Sequence, residues 1–164
     1  MERLNTALIE ALNDEYKARA TYRAILDKFG NIRPFVNIIE SEERHIQALL
    51  LLFRKYGLPI PQDPWDGCVA IPASVQEACQ QGVQAEIENA ALYHRLLDLS
   101  QGYPDVQTVF LNLQRASQNN HLPAFQRCAA RETPGDFQRR GRRSRGGQRR
   151  GRCYRDSPSL LDAR

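Results

Sequence analysis

The stretch GLPIPQDPWDGCVAIPA, residues 57–73, limits the fold more than any other part of the chain. Each of its prolines removes a backbone donor, so no helix runs through it. On either side lie two segments with helical periodicity. The first spans about 3–29 and stops at GNIRP, where Gly30 suits a left-handed C-terminal residue. The second starts near Pro34, a residue favoured in a first turn, and ends at YGLPIP. The third opens with SVQE, in which Ser74 and Glu77 have capping-box spacing. The fourth starts near Asp105, expected as its N-cap, and runs past His121. Short links make each pair antiparallel. Fully extended, 17 residues reach roughly 55 Å, against about 37 Å for a 25-residue helix. The link therefore crosses a whole bundle and leaves helices two and three parallel. The fold class expected is all-α, a four-helix bundle with one long crossover.

A core-facing helical stripe steps alternately by three and four residues. In the first segment this gives Leu4, Leu8, Ala11, Glu15, Ala18, Tyr22, Ile25 and Phe29. The second gives Phe35, Ile38, Glu42, His45, Leu49, Leu52 and Tyr56. The third gives Val75, Cys79, Gly82, Glu86, Asn89, Tyr93 and Leu97, and the fourth Val106, Phe110, Leu113, Ser117, His121, Ala124 and Cys128. Every stripe turns polar near its middle. An isolated buried carboxylate is costly and must shift its pKa or find a partner. A divalent cation offsets two of them, and imidazole adds a neutral nitrogen ligand. The competing reading makes each Glu an edge residue that reaches water or pairs with Arg19 or Arg44. Glu43 and Glu88 lie off the stripes and are expected in solvent.

Glu15, then Glu42-x-x-His45, then Glu86 follow the order of the di-iron and di-manganese carboxylate proteins. With DEYKARATY, SEERHIQALLLLFRKYG and NNHLPAF, residues 5–128 resemble an uncharacterised prokaryotic ferritin-like family related to rubrerythrin-type proteins. The resemblance implies a ferritin-like bundle that holds one or two iron or manganese ions through Glu15, Glu42, His45, Glu86 and His121. It also implies redox handling of iron, oxygen or peroxide, the work of a di-iron-type oxidoreductase. The fourth segment departs from the pattern. Gln118 stands where the motif wants Glu, and Pro123 is expected to kink or end the helix where His121 must be aimed. Those two residues leave a mononuclear or degenerate site open beside the paired one. Tyr22 and Tyr93 lie seven residues beyond Glu15 and Glu86. They are candidates for hydrogen-bond donors or redox phenols, with ordinary core aromatics as the alternative.

Charge divides the chain in two. Residues 1–131 carry 13 Lys/Arg against 15 Asp/Glu, a net of −2, whereas residues 132–164 carry ten Arg against four acids, a net of +6. The expected domains are a bundle over 1–131 and a disordered, Arg/Gly-rich, low-complexity tail over 132–164. Residues 139–155 could hold nucleic acid through their charge. The abrupt change near Arg131 is also what an out-of-frame reading of GC-rich coding sequence produces. The N-terminal residues are charged throughout, so no signal peptide is expected, and no apolar run could span a membrane. Cys68, Cys79, Cys128 and Cys153 show no paired spacing, so the expectation is isolated thiols in a reducing cytoplasm. Two further readings stand beside the metal protein: a metal-free bundle acting as an interaction module, and a nucleic-acid-associated homodimer.

Overall fold

The computed structural model describes residues 1–131, all of whose regular structure is helical. The expected tail, 132–164, lies outside the described residues, as do the nucleic-acid segment 139–155 and Cys153. Helix α1 spans Glu2–Phe29, α2 Phe35–Lys55, α3 Val75–Leu99 and α4 Pro104–Ala116. A π-helical turn, Ser117–His121, then joins α4 to α5, Leu122–Ala129, so three pieces build the fourth rod.

Side-chain pairings fix the directions. Tyr93 meets Glu15 and Tyr22 meets Glu86, so α3 runs antiparallel to α1. Along α2, His45 meets Glu15 and Phe35 meets Tyr22, which makes α2 antiparallel to α1 as well. Helices α2 and α3 are therefore parallel, and the crossover spans the bundle as its length demands. It is strapped along α1. Asp63 accepts from Arg19 at 2.8 Å, Trp65 Nε1 donates to Asn13 Oδ1 at 2.9 Å, and Lys28 donates to the Pro72 carbonyl at 2.6 Å.

The helix ends follow local chemistry, with two differences from expectation. Gly30 has positive φ (+81°), but its ψ of −171° puts it in the region open only to glycine rather than in a left-handed helix. Ser74 accepts from the Glu77 N–H at 3.1 Å, and Glu77 reaches back to the Ala73 N–H at 2.8 Å. Asp105 does not cap α4, which begins at Pro104. Its carboxylate instead accepts from Lys55 at 2.7 Å and Tyr56 at 2.8 Å, tying the end of α2 to the start of α4.

Two apolar clusters fill the bundle. One gathers Leu8, Leu12, Leu49, Phe53, Leu96 and Phe110. The other gathers Tyr22, Ile25, Phe35, Ile38, Cys79 and Phe125. Pro123 neither ends the fourth rod nor prevents His121 from pointing inward, because the π turn absorbs the disruption. Leu122 N–H bonds five residues back to the Ser117 carbonyl, which inserts the extra residue of a π turn. The inward face consequently steps 117, 121, 125, and Phe125 rather than Ala124 occupies the core.

The cysteines overturn the expectation of isolated thiols. Cys79 and Cys128 form a disulfide with Cα atoms 5.8 Å apart. Antiparallel packing of α3 and α5 brings two stripe positions face to face, an event that spacing within one segment cannot reveal. This pairing removes the cysteine argument for a reducing compartment. No helix among the described residues is long and apolar enough to cross a membrane.

Candidate metal centre

Between the two apolar clusters lies a polar layer. Glu15 on α1, Glu42 on α2, Glu86 on α3, and Ser117 and His121 on the π turn are each at most 4% exposed. The His45 side chain completes the layer at 12% exposed. All five residues singled out as ligands thus converge. None of the three glutamates pairs with a lysine or arginine among the described residues. Arg19 is committed to Glu43 and Asp63, both at 2.8 Å, and Arg44 is exposed. Glu43 is therefore an ion-pair partner rather than simply solvated, whereas Glu88 is exposed and accepts from Gln84.

Glu42 is the hinge of the arrangement. Its Oε2 lies 2.9 Å from His45 Nδ1, and its Oε1 lies 3.5 Å from His121 Nδ1. On one side, Glu15 Oε2 is 3.2 Å from the same His45 nitrogen. On the other, Glu86 Oε1 is 3.5 Å from His121 Nδ1. Two triads result, Glu15–Glu42–His45 and Glu42–Glu86–His121, each with its donor atoms within 4.8 Å of one another. The two imidazoles stack at 5.7 Å between centroids.

A set of hydroxyls and one amide orient these groups. Tyr93 OH donates to Glu15 Oε1 at 2.8 Å, and Tyr22 OH lies 3.5 Å from Glu86 Oε1. Both tyrosines therefore touch the carboxylates, as donors. Ser41 Oγ sits 3.3 Å from His45 Nε2, and Ser117 donates to Glu86 Oε2 through a short hydrogen bond. Gln118 stays out of the carboxylate layer. Its amide donates to the Glu86 backbone carbonyl at 2.8 Å and to Ser117 Oγ at 3.3 Å. Sequence reasoning did not assign Ser41 or Ser117 a role. Ser117 was on its stripe, and Ser41 lies one turn before His45, which are the signals that could have found them.

Burial and mutual charge shift the proton affinities in this layer. Burial pulls the His45 pKa down, but hydrogen bonds and charge from Glu15 and Glu42 outweigh it and push it up to about 10. Burial and the Glu15 charge hold the Glu42 carboxyl well above the usual range. Glu15 is raised by burial too, yet its bond to His45 and the imidazolium charge bring it below the ordinary value. Next to it, burial and the Glu15 charge raise Asp14 to about 6. Burial drives both tyrosines well above the phenol range, so they stay neutral donors.

Two oxygen-rich triads thus share one carboxylate, that of Glu42. Residues 5–68 match the family described as "Uncharacterized protein domain (DUF2202)". That stretch holds Glu15, Glu42 and His45 and ends in the crossover. The chain is also 28% identical over 134 residues to the uncharacterised protein MJ0754 of Methanocaldococcus jannaschii, covering 73% of this chain and 71% of that protein. The crystal structure of hypothetical protein MJ0754 from Methanococcus jannaschii superposes with a TM-score of 0.67 over 76% of this chain and 78% of that one. The likeness therefore extends beyond the matched stretch to most of the bundle.

Proposed function

We propose that this chain is a ferritin-like metalloprotein that binds two iron or manganese ions in its interior and uses them in redox handling of iron, oxygen or peroxide. One observation carries the reading: Glu42 turns its two oxygens to different histidines, each backed by a further buried glutamate. The donor set suits the group. Carboxylate and imidazole match iron or manganese, and no thiolate enters either triad to favour a softer ion. Protons on His45 and Glu42 are the species that the ions would displace.

Bound ions would supply the electron transfer, and the protein's own side chains supply the rest. Glu15, Glu42 and Glu86 bring negative charge from three helices, and His45 and His121 bring neutral nitrogen once deprotonated. Tyr93, Tyr22, Ser41 and Ser117 fix the orientation of those donors, a role whose loss costs metalloproteins about 10–100-fold in affinity. The apolar clusters shield the layer above and below, and a cleft of about 460 Å³ between α1 and α3 reaches it from the side. A metal-free interaction module gains no support from this arrangement, because an interaction surface does not require three buried glutamates converging on two histidines with no lysine or arginine beside them among the described residues.

Metal analysis tests the reading on protein purified without chelators and then loaded anaerobically with ferrous iron or with manganese(II). Two ions per chain are expected, one for each triad. A ratio near zero after loading sinks the proposal.

A further inference from the structure

The cleft between α1 and α3 changes character with depth. At its rim stand the exposed polar side chains of Lys17, Gln81, Gln84 and Glu88. Ala18 and Ile25 from α1, Ala78 from α3 and Val69 from the crossover give it apolar walls. All five residues of the two triads line it too, and the buried ones, Glu15, Glu42, Glu86 and His121, mark its inner end. Solvent therefore has a path to the layer, and so does a solute.

Size and charge restrict that solute. The volume of about 460 Å³ falls in the range of small-molecule sites. Hydrogen peroxide has the bulk of about two waters, or roughly 60 Å³, and leaves most of this space and all of the apolar wall unused. Asp14 lines the cleft beside Glu15, so Asp14, Glu15, Glu42 and Glu86 bring four negative charges to two divalent ions. The loaded centre is balanced and has no call for an anion, which would also have to pass Glu88 at the rim. A neutral molecule with an apolar body fits.

Resting on the metal reading above, we infer that the peroxide handled here is an organic hydroperoxide. Its alkyl group lies against the apolar walls while its peroxy group reaches the triads. The reaction balances within the site. The O–O bond breaks, and the two ions give one electron each and pass from the divalent to the trivalent state. Two protons enter from solvent through the cleft, and an alcohol and water leave.

Hexyl hydroperoxide and hydrogen peroxide test the inference, each mixed anaerobically with the full chain holding two ferrous ions. Each oxidation rate is divided by the rate with free ferrous ion, which removes the intrinsic difference between the two oxidants. Hexyl hydroperoxide is then expected to be faster by at least about tenfold, the worth of burying about two methylene groups. It should yield one hexan-1-ol for every two ions oxidised. A second readout needs no metal. Hexan-1-ol is the inert product, and Trp65 is the only tryptophan and lines the cleft, so Trp65 fluorescence reports occupancy. A response is expected in metal-free and loaded protein alike, because the alcohol is neutral. Ala18→Leu and Ala85→Leu narrow the cleft from opposite walls. Each is expected to weaken the hexan-1-ol response and erase the advantage of hexyl hydroperoxide while two ions still bind. With two ions bound, equal or faster oxidation by hydrogen peroxide overturns the inference and leaves the metal reading standing. So does a missing hexan-1-ol response, or an advantage that survives both variants. A chain that takes up no ions overturns the metal reading, and the inference falls with it.

Discussion

Glu42 reaches both histidines with one side chain, and the consequence can be separated from that of its neighbours. Glu15 and Glu86 each belong to a single triad, whereas Glu42 belongs to both. Glu15→Gln and Glu86→Gln are expected to lower the bound metal by one ion, and Glu42→Gln by both. Metal analysis of the three variants checks this; identical losses from all three would remove the shared-carboxylate geometry. A second expectation concerns pH. His45 titrates near 10 in the folded, metal-free protein, against roughly 6.5 in an unfolded chain. The folded state therefore holds the extra proton, and the stability it confers is complete below about 6.5 and lost as the pH climbs through 10. Asp14, raised to about 6, acts in the same direction over a lower window, from about 4 to 6. Thermal midpoints of metal-free protein are expected to fall between pH 7 and 10. Ions need deprotonated ligands, so the loaded protein gains affinity over the same range. Parallel curves for the two forms would contradict the exchange of protons for ions.

Elements bring these residues together, and here the sequence was informative only where burial follows periodicity. The three-and-four stepping located Glu15, Glu42, Glu86 and His121, because a stripe position in a bundle is an interior position. It could not locate features that depend on what a neighbouring element presents. The π turn adds a residue, moves Phe125 into the core and keeps His121 aligned despite Pro123. The Cys79–Cys128 bond depends on the registry of α3 with α5, and Asp105 finds Lys55 and Tyr56 50 and 49 residues away. Gly82 shows how tight that registry is. A Cβ there would meet the Phe125 ring at 2.7 Å, and Phe125 in turn packs on Tyr22 and Phe35. Gly82→Ala gains about 1 kcal/mol of helix propensity but overpacks a buried ring at a cost of about 1–3 kcal/mol. A net loss of stability is expected in denaturant unfolding, together with weaker metal binding through the displaced Tyr22. Reducing the disulfide, which closes a 49-residue separation, is expected to cost about 2–4 kcal/mol in the same assay. An unchanged unfolding midpoint on reduction would show that the bond does not constrain the unfolded chain.

Across the whole molecule, the polar layer interrupts what would otherwise be one continuous apolar core. Leucine-rich packing lies on one side and the Tyr22–Phe35–Phe125 group on the other, with three carboxylates between them. A fold selected for stability alone has no use for such a layer, since replacing buried ionic groups with apolar side chains of similar volume is often stabilising by about 1–4 kcal/mol. Under the proposed function, the layer is the place where stability and metal binding conflict, and the conflict can be measured. A variant carrying Glu15→Leu, Glu42→Leu and Glu86→Leu joins the two clusters and leaves His45 without the carboxylates that hold its proton. It is expected to unfold at higher denaturant concentration than the metal-free parent, yet to gain nothing when iron or manganese is added. The parent, by contrast, is stabilised in proportion to the logarithm of the ion concentration, because the ions bind only the folded state. If the triple variant proves markedly less stable than the metal-free parent, the carboxylates support the core through their own hydrogen bonds. The layer would then be a structural network in which metal has no necessary part.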